Sequence, residues 1–445
     1  MEGITHGMVV WFLIGSLLGI FLFIKLYLVE AIIPVISEMT EITPHTFPPT
    51  ENQAAYDAYL NGIDHALDGD HERSIAQHTI AVEEDPEFSI AWAALSQSHS
   101  AMYFEGTDPT EERLLMSRNA VDRAFRLNAD LPEAHLALAY FYYRGPGNHE
   151  RALEELAIAE PHFPDNSDLL KTRAFIYRSI GEWDAALYEL ERASELDTGN
   201  IELIEEQAFT HLLRRDYFIA ETFLNSVIEQ APEHENAQIQ KALISLRRDG
   251  DSSALAVAAQ SSLGSGRPWM AWLSAFIQRD YEAAQQALDQ TASNTLVWEE
   301  GYMPKTFAYG LTQNWAGNFE IAQLYFQDAR EILEQDLETD PDNPNLLIAL
   351  GEVLAHLGAQ QSAALLAHRV MELPSVANDS ISTSRYRLSA ARVLAAAGEH
   401  EAAIDELETY LSLPGRYSMD GIVVDPRFDV LLENTRFQTL LARYR

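Results

Sequence analysis

Hydrophobic and polar positions follow a helical period through most of this chain, and that period repeats. Ala152, Ala186, Ala220 and Ala254 recur every 34 residues; Leu156, Leu190 and Leu224 follow the alanines by four, and Ala159, Ala193 and Val227 by seven. Spacings of four and seven place all three rows on one face of an α-helix. The pattern predicts a stack of helix pairs in which small residues sit where two helices approach closely and leucines fill the space between neighbouring pairs. Each pair would bury its apolar face only against the next, so a single pair would not fold.

A second pattern precedes the repeats. Residues 8–24 (MVVWFLIGSLLGIFLFI) carry no charge, and the apolar run continues past Lys25 to Ile36. This length predicts a membrane-spanning helix over 8–36, with the Lys25 ammonium reaching for the interface. Residues 1–7 contain no Lys or Arg, and no small-residue cleavage site comes after the apolar run, so an uncleaved anchor fits better than a signal peptide. Lys25 alone would favour a cytoplasmic side for the repeats. Residues 37–53, with Pro44, Pro48 and Pro49, read as an extended spacer.

In the clearest unit, Ala174 and Tyr177 lie on a first helix that leads through Gly181 to a second helix carrying Ala186, Leu190 and Ala193. The stretch 180–196 (IGEWDAALYELERASEL) resembles the tetratricopeptide repeat, and Pro164 and Pro232 stand two periods apart as that family's unit ends do. The resemblance implies an all-α fold: an N-terminal transmembrane helix followed by a right-handed superhelical solenoid. Further units show at Trp92, Leu95 and Ala124, at Ala322, Phe326 and Ala329, at Gly351, Leu354 and Gly358, and at Gly398, Ala403 and Leu407. The expected layout is a regular array over 54–240, degenerate repeats over 241–298, further repeats over 299–414 and a capping segment over 415–445.

Residues 55–62 (AYDAYLNG) and 80–86 (IAVEEDP), together with 424–441 (VDPRFDVLLENTRFQTLL), are similar to the two ends of tetratricopeptide tails in bacterial membrane signalling proteins. There Arg-Phe motifs, here Arg427 with Phe428 and Arg436 with Phe437, cap the last repeat. The resemblance implies repeats outside the cytoplasm, held by a single helix in the inner membrane. Only seven residues precede the apolar run, so the expectation is an array without its own output domain: a scaffold, or a regulatory subunit whose output lies on another chain.

Over 241–288 the rows decay to Ala258 and Ser261, Gly264 and Gly266 break the helix, and Trp269, Met270, Trp272 and Phe276 crowd together, as fillers of an irregular core. Composition narrows the function. With 68 acidic against 30 basic residues the net charge is −38, which repels nucleic acid and suits an acidic, soluble surface. The absence of cysteine removes disulfides and thiolate chemistry. His71, His149, His234 and His400 each precede a glutamate, but no second histidine stands at helical spacing, and none of the four lysines comes after a glycine. Asp340 and Asp342 open something like a calcium loop, which Pro344 and Gly351 spoil; a helix break with capping residues is the better reading. His65, His78 and His99 read as ordinary packing or surface positions. No catalysis, cofactor, metal or small-molecule substrate is expected.

In the resembled family the concave face, lined by first helices, holds an extended peptide or a partner helix. Projecting that face selects Lys171, Phe175 and Arg178 in one repeat, Glu205 and Phe209 in the next, and Tyr140 and Tyr143 in the repeat before. Aromatic and charged side chains mixed in this way suit stacking and charge-assisted bonds to another protein.

Overall fold

Paired helices make up nearly all of the residues that the computed structural model describes, which are 49–445 apart from Glu105, Gly106, Pro109, Glu299 and Glu300. The expected anchor over 8–36 and most of the spacer lie outside them. Among the described residues, no helix is long and apolar enough to cross a membrane. The chain divides into two units, one ending at Ala134 and the other running from His135 to Arg445.

The first unit contains α1 (Gln53–Leu67), α2 (His71–Glu84), α3 (Ser89–Phe104) and α4 (Glu111–Leu127). Asn52, Asp70 and Thr110 start α1, α2 and α4, their side-chain oxygens accepting bonds from first-turn amides. The helices pair as α1 with α2 and α3 with α4. A polar knot lies among their buried alanines: Ser74 Oγ is 2.8 Å from Ser98 Oγ, and His78 Nδ1 is 3.2 Å from the same hydroxyl. Gly62 makes room for it, since a Cβ there would fall 2.3 Å from the His78 ring. Burial pushes His78 down to about 4, and burial with the nearby Arg113 charge does the same to His99. Both are neutral packing residues at pH 7.

The second unit holds most of α5 (Pro132–Arg144) and α6 (His149–Ala159), then α7 (Ser167–Ser179) with α8 (Trp183–Leu196), α9 (Ile201–Leu213) with α10 (Tyr217–Gln230), and α11 (Glu235–Asp249) with α12 (Ser253–Ala259). The expected rows are its core. Ala152, Leu156, Ala159, Ala186, Leu190, Ala193, Ala220 and Val227 are all fully buried. Ala254 is a correction: it is exposed and its neighbour Leu255 is buried instead, while Ala258, one period after Leu224, is buried as its row expects. The left-handed turn at Gly250 is followed by Asp251 and Ser252 before α12 begins.

Next come α13 (Pro268–Ile277), α14 (Tyr281–Asp289) and a hairpin of β1 (Thr295–Trp298) and β2 (Gly301–Pro304). Trp269, Met270, Trp272 and Phe276 are buried, and the Trp272 Nε1–H donates to Thr312 Oγ1 at 3.0 Å. The hairpin is a local addition to an otherwise helical fold and straddles the boundary placed at 298. It is antiparallel, pairing Leu296 with Met303, both buried, and Val297 with Tyr302. The remaining helices are α15 (Lys305–Trp315), α16 (Phe319–Thr339), α17 (Pro344–His356), α18 (Gln360–Glu372), the short α19 (Pro374–Ala377), α20 (Ser380–Ala396), α21 (His400–Ser412), α22 (Met419–Val423) and α23 (Thr435–Tyr444). The acidic stretch before α17 is a helix break, with Asn343 Oδ1 capping the amides of Asn345 and Leu346.

Residues 410–432 return to helices that precede them by up to 202 positions. Arg215 donates to the carbonyls of Tyr410, Leu413 and Tyr417 at 2.8–3.0 Å and of Leu411 at 3.4 Å. The Ser418 amide and hydroxyl donate to the carbonyls of Arg247 and Arg248, and the Gly415 amide to that of Leu213. Gly421 lies so near α11 that a Cβ would stand 2.4 Å from the Arg247 carbonyl oxygen. Arg279 clasps Asp429 through two bonds of 2.5 and 2.7 Å.

Arg215 and Arg279 are the positive-φ residues other than glycine among those described, at φ of 64° and 62°. Arg215 stands one period after Gly181, whose φ is 86°. The turn wants glycine, and the chain puts an arginine there whose guanidinium ties down the C-terminal segment.

The Arg-Phe motifs each divide their labour. Phe428 and Phe437 are fully buried, while Arg436 spreads over Glu401, Asp405 and Glu408 at the surface. Arg427 is buried, 2.7 Å from Asp425 and 3.6 Å from Glu352. Burial alone would raise Asp425, but the Arg427 and Arg392 guanidiniums hold it down at about 2. For Glu352 burial prevails and its pKa moves up.

Candidate functional site

Three first helices bring the projected residues together. Asn166 caps α7, accepting from the Leu169 amide at 2.9 Å, and its inward residues Leu169, Leu170, Ala174 and Ile176 leave Lys171, Phe175 and Arg178 on a neighbouring line. Asn200 caps α9 in the same way, and His234 caps α11 through Nδ1. Equal helix starts and a fixed period keep equivalent residues in line from helix to helix.

Arg178 is the hub. Its Nη1 donates to Glu206 at 2.6 Å and to Thr210 at 3.3 Å, while its guanidinium carbon lies 4.5 Å from the Phe175 ring centre and 5.1 Å from that of Phe209. Arg416 covers the Phe209 ring as well, at 5.0 Å, so one aromatic side chain is held by two cations. Glu205 accepts from the Asn236 amide group at 3.0 Å and lies 3.5 Å from His234 Nδ1. Lys171 binds Asp168 and Glu202 at 3.0 and 2.9 Å; burial opposes its charge, but these carboxylates outweigh it and the pKa rises.

A cleft of about 330 Å³ opens here, lined by Arg178, Glu202, Glu205, Glu206, Phe209 and the amides of Asn236 and Gln240, with Leu212 and Leu224 beneath. Of its three carboxylates, Glu206 is paired with Arg178 and Glu202 with Lys171, and Glu205 lies against Asn236 and His234. Primary amides can pair with a peptide backbone, and Phe209 offers an apolar contact. Among the described residues no group of three or more His, Cys, Asp or Glu side chains is placed to hold a metal ion.

The two tyrosines fare differently. Tyr140 corrects the projection: it packs in the apolar core with its ring 4.5 Å from the Arg144 guanidinium and does not line the cleft, whereas Arg178, just as buried at 6% exposed, does. Tyr143 is half-buried and feels the Arg178 charge, though burial dominates and raises its hydroxyl to about 12. Glu202, Glu206, Asn236, Gln240 and Arg416 join the site without being projected onto it. The same period would find four of them, since Asn236 and Gln240 stand 34 residues after Glu202 and Glu206. Arg416 has no periodic counterpart.

No protein-family model matches the chain, and no curated protein does either. Solved structures do match in part. A thermophilic TPR protein of Thermus thermophilus is 20% identical, with 43% of this chain and all of that one covered and a TM-score of 0.37. A tetratricopeptide repeat protein of Parabacteroides merdae is 14% identical over 63% of this chain and 93% of its own, with a TM-score of 0.33. The human IFIT1 dimer with PPP-AAAA is 15% identical over 73% and 74%, with a TM-score of 0.39. The repeat reading of this chain rests on its own period and on its helix pairs.

Proposed function

We propose that this protein is a tetratricopeptide-type docking scaffold that grips a segment of a partner protein in the cleft between α7, α9 and α11. The observation that carries the reading is the convergence of Arg178, Glu205 and Phe209, projected onto the concave face that the resemblance implies, on one cleft with room for side chains of a partner. In this reading the cleft prefers a segment with basic residues, which would meet Glu205, a carboxylate held by the neutral amide of Asn236 and by His234. Residues 8–36 anchor the scaffold in a bacterial inner membrane, with the repeats on the extracytoplasmic side, and no nucleic acid is bound.

Selection of a displayed peptide library against the purified chain tests the cleft. Selected peptides should be enriched in Lys and Arg, and Glu205→Lys should weaken their binding about tenfold, the worth of one charge-assisted contact. Acidic peptides, or binding indifferent to Glu205→Lys, would contradict it. Placement has its own test. With a tag after Arg445, protease should degrade the tag in spheroplasts and spare it in inverted vesicles; the reverse would put the repeats in the cytoplasm.

A further inference from the structure

The first helices α7, α9, α11, α13 and α15 each run into a left-handed residue, Gly181, Arg215, Gly250, Arg279 and Gly317. Helix pairs stacked in this way set their inner turns along one edge, and residues 380–429 touch that edge at one turn after another. A Cβ on Gly181 would stand 3.1 Å from Ser380 Oγ. Arg215 donates to carbonyls of residues 410–417. A Cβ on Gly250 would stand 2.8 Å from the Asp420 carbonyl oxygen, and Arg279 pairs with Asp429. At the fifth turn, Trp315, the last residue of α15, donates its Nε1–H to the Pro426 carbonyl at 3.1 Å.

The three helices that build the cleft are all held by this segment. Helix α20 packs against α7. The Gly415 amide fixes the end of α9 through the Leu213 carbonyl at 2.6 Å, and Ser418 fixes the end of α11 through the carbonyls of Arg247 and Arg248 at 2.9 and 2.6 Å. Between them the Arg416 carbonyl accepts from the Tyr217 hydroxyl at 3.0 Å, and its guanidinium lies over Phe209, which lines the cleft. In a repeat array each pair touches only its neighbours, so small rotations between pairs add up along the stack and its curvature is soft. Apolar contacts are non-directional and resist such rotation poorly. Hydrogen bonds across successive turns resist it well, because each weakens steeply away from one distance and angle.

We propose that residues 380–429 form a strap that fixes the curvature of the second unit and so holds the cleft between α7, α9 and α11 preformed for its partner. The strap is a positioning segment, acting through the spacing of the three helices. It is not a gate, since the cleft keeps its volume of about 330 Å³ with the strap in place. A partner segment therefore meets a rigid cleft, and binding does not bear the cost of ordering it. The effect on affinity presupposes the docking reading; the strap itself does not.

The chain has no cysteine, so a reversible lock can be placed in it. Ser380 Cβ lies 4.0 Å from where a Cβ on Gly181 would stand, within the range of a disulfide. Arg215 and Arg279 show that a side chain is accommodated at this turn. In the full chain, Gly181→Cys with Ser380→Cys should oxidise to an intramolecular disulfide, and a peptide selected on the unaltered chain should bind the oxidised form as tightly as the reduced one. Arg215→Ala should weaken that peptide at least about fivefold, and the disulfide should restore most of the loss. Hydrogen exchange should quicken in Arg215→Ala at the ends of α7, α9 and α11 together and slow again on oxidation. Thiols that stay apart under oxidation, binding lost in the oxidised form, faster exchange confined to α9, or an affinity indifferent to Arg215→Ala would each overturn the proposal. If Arg215→Ala does not fold, the comparison of oxidised and reduced forms of the cysteine pair still decides. If no peptide is selected, the docking reading fails alone, and cross-linking and exchange still test the strap.

Discussion

Helices α6 to α10 and the closing segment 413–432 belong to one unit, yet they are held by opposite means. In the array each pair leans on the next through alanines, leucines and a valine set 34 residues apart, contacts that are local and apolar. The closing segment is held through arginines: Arg215 on four backbone carbonyls, Arg279 on Asp429, and Arg427 in a buried cluster with Asp425 and Glu352. Repeat arrays bind only their neighbours. A contact spanning 202 residues needs directional groups that fit one place, and guanidiniums supply them.

The largest effect should come from Arg427→Met, which leaves Arg392 as the remaining cation for the buried Asp425 and Glu352. Loss of one partner from a buried ionic cluster costs about 3–5 kcal/mol, read as a lower urea midpoint. A loss no larger than that of a surface pair would mean that the cluster does not hold the closing segment.

Arg215 comes next. Arg215→Ala should lose about 2–3 kcal/mol, the worth of charge-assisted bonds to carbonyls. Arg215→Gly loses the same bonds but relieves the left-handed backbone, and should be more stable than the alanine variant by about 1 kcal/mol. Equal stability of the two would remove the claim that the anchor is held at a strained turn.

His356 gives the contrast a pH dependence. It stacks on Phe326 at 4.7 Å, and burial, then the Arg427 charge, lowers it to about 4. Its folded value lies below the ordinary one near 6.5, so the unfolded chain takes up the proton first and stability falls as pH drops from about 6.5 to 4. His356→Phe should remove about 1–3 kcal/mol of that loss, measured by denaturation at both ends of the window. His78 and His99 add slopes of the same sign in the first unit. The smallest effect belongs to Arg279→Ala, about 0.5–1 kcal/mol, since both partners are part-exposed.

Legibility in the sequence divides along the same line. Ala186, Leu190 and Ala193 announce the array because a period is visible without knowing any distant contact, and Lys171, Phe175, Arg178, Glu205 and Phe209 come with it. Tyr140 is misplaced because the Gly145–Gly147 break blurs the register just where core and concave face differ by a residue. The hairpin escapes notice because its in-out alternation lasts four residues a strand, too short to stand against a helical background. Arg215 and Arg416 look like surface residues in any local window; their partners lie about 200 positions away.

The most direct test of the docking reading is site-specific photo-crosslinking in the source cells, with the reactive residue at Asn236 in the cleft or at Tyr188, which is 59% exposed on the second helix α8. A docking cleft predicts a discrete protein adduct from Asn236, none from Tyr188, and loss of the adduct when Phe209→Ala is added. Adducts of equal yield from both positions, or an adduct at Asn236 that survives Phe209→Ala undiminished, would contradict it.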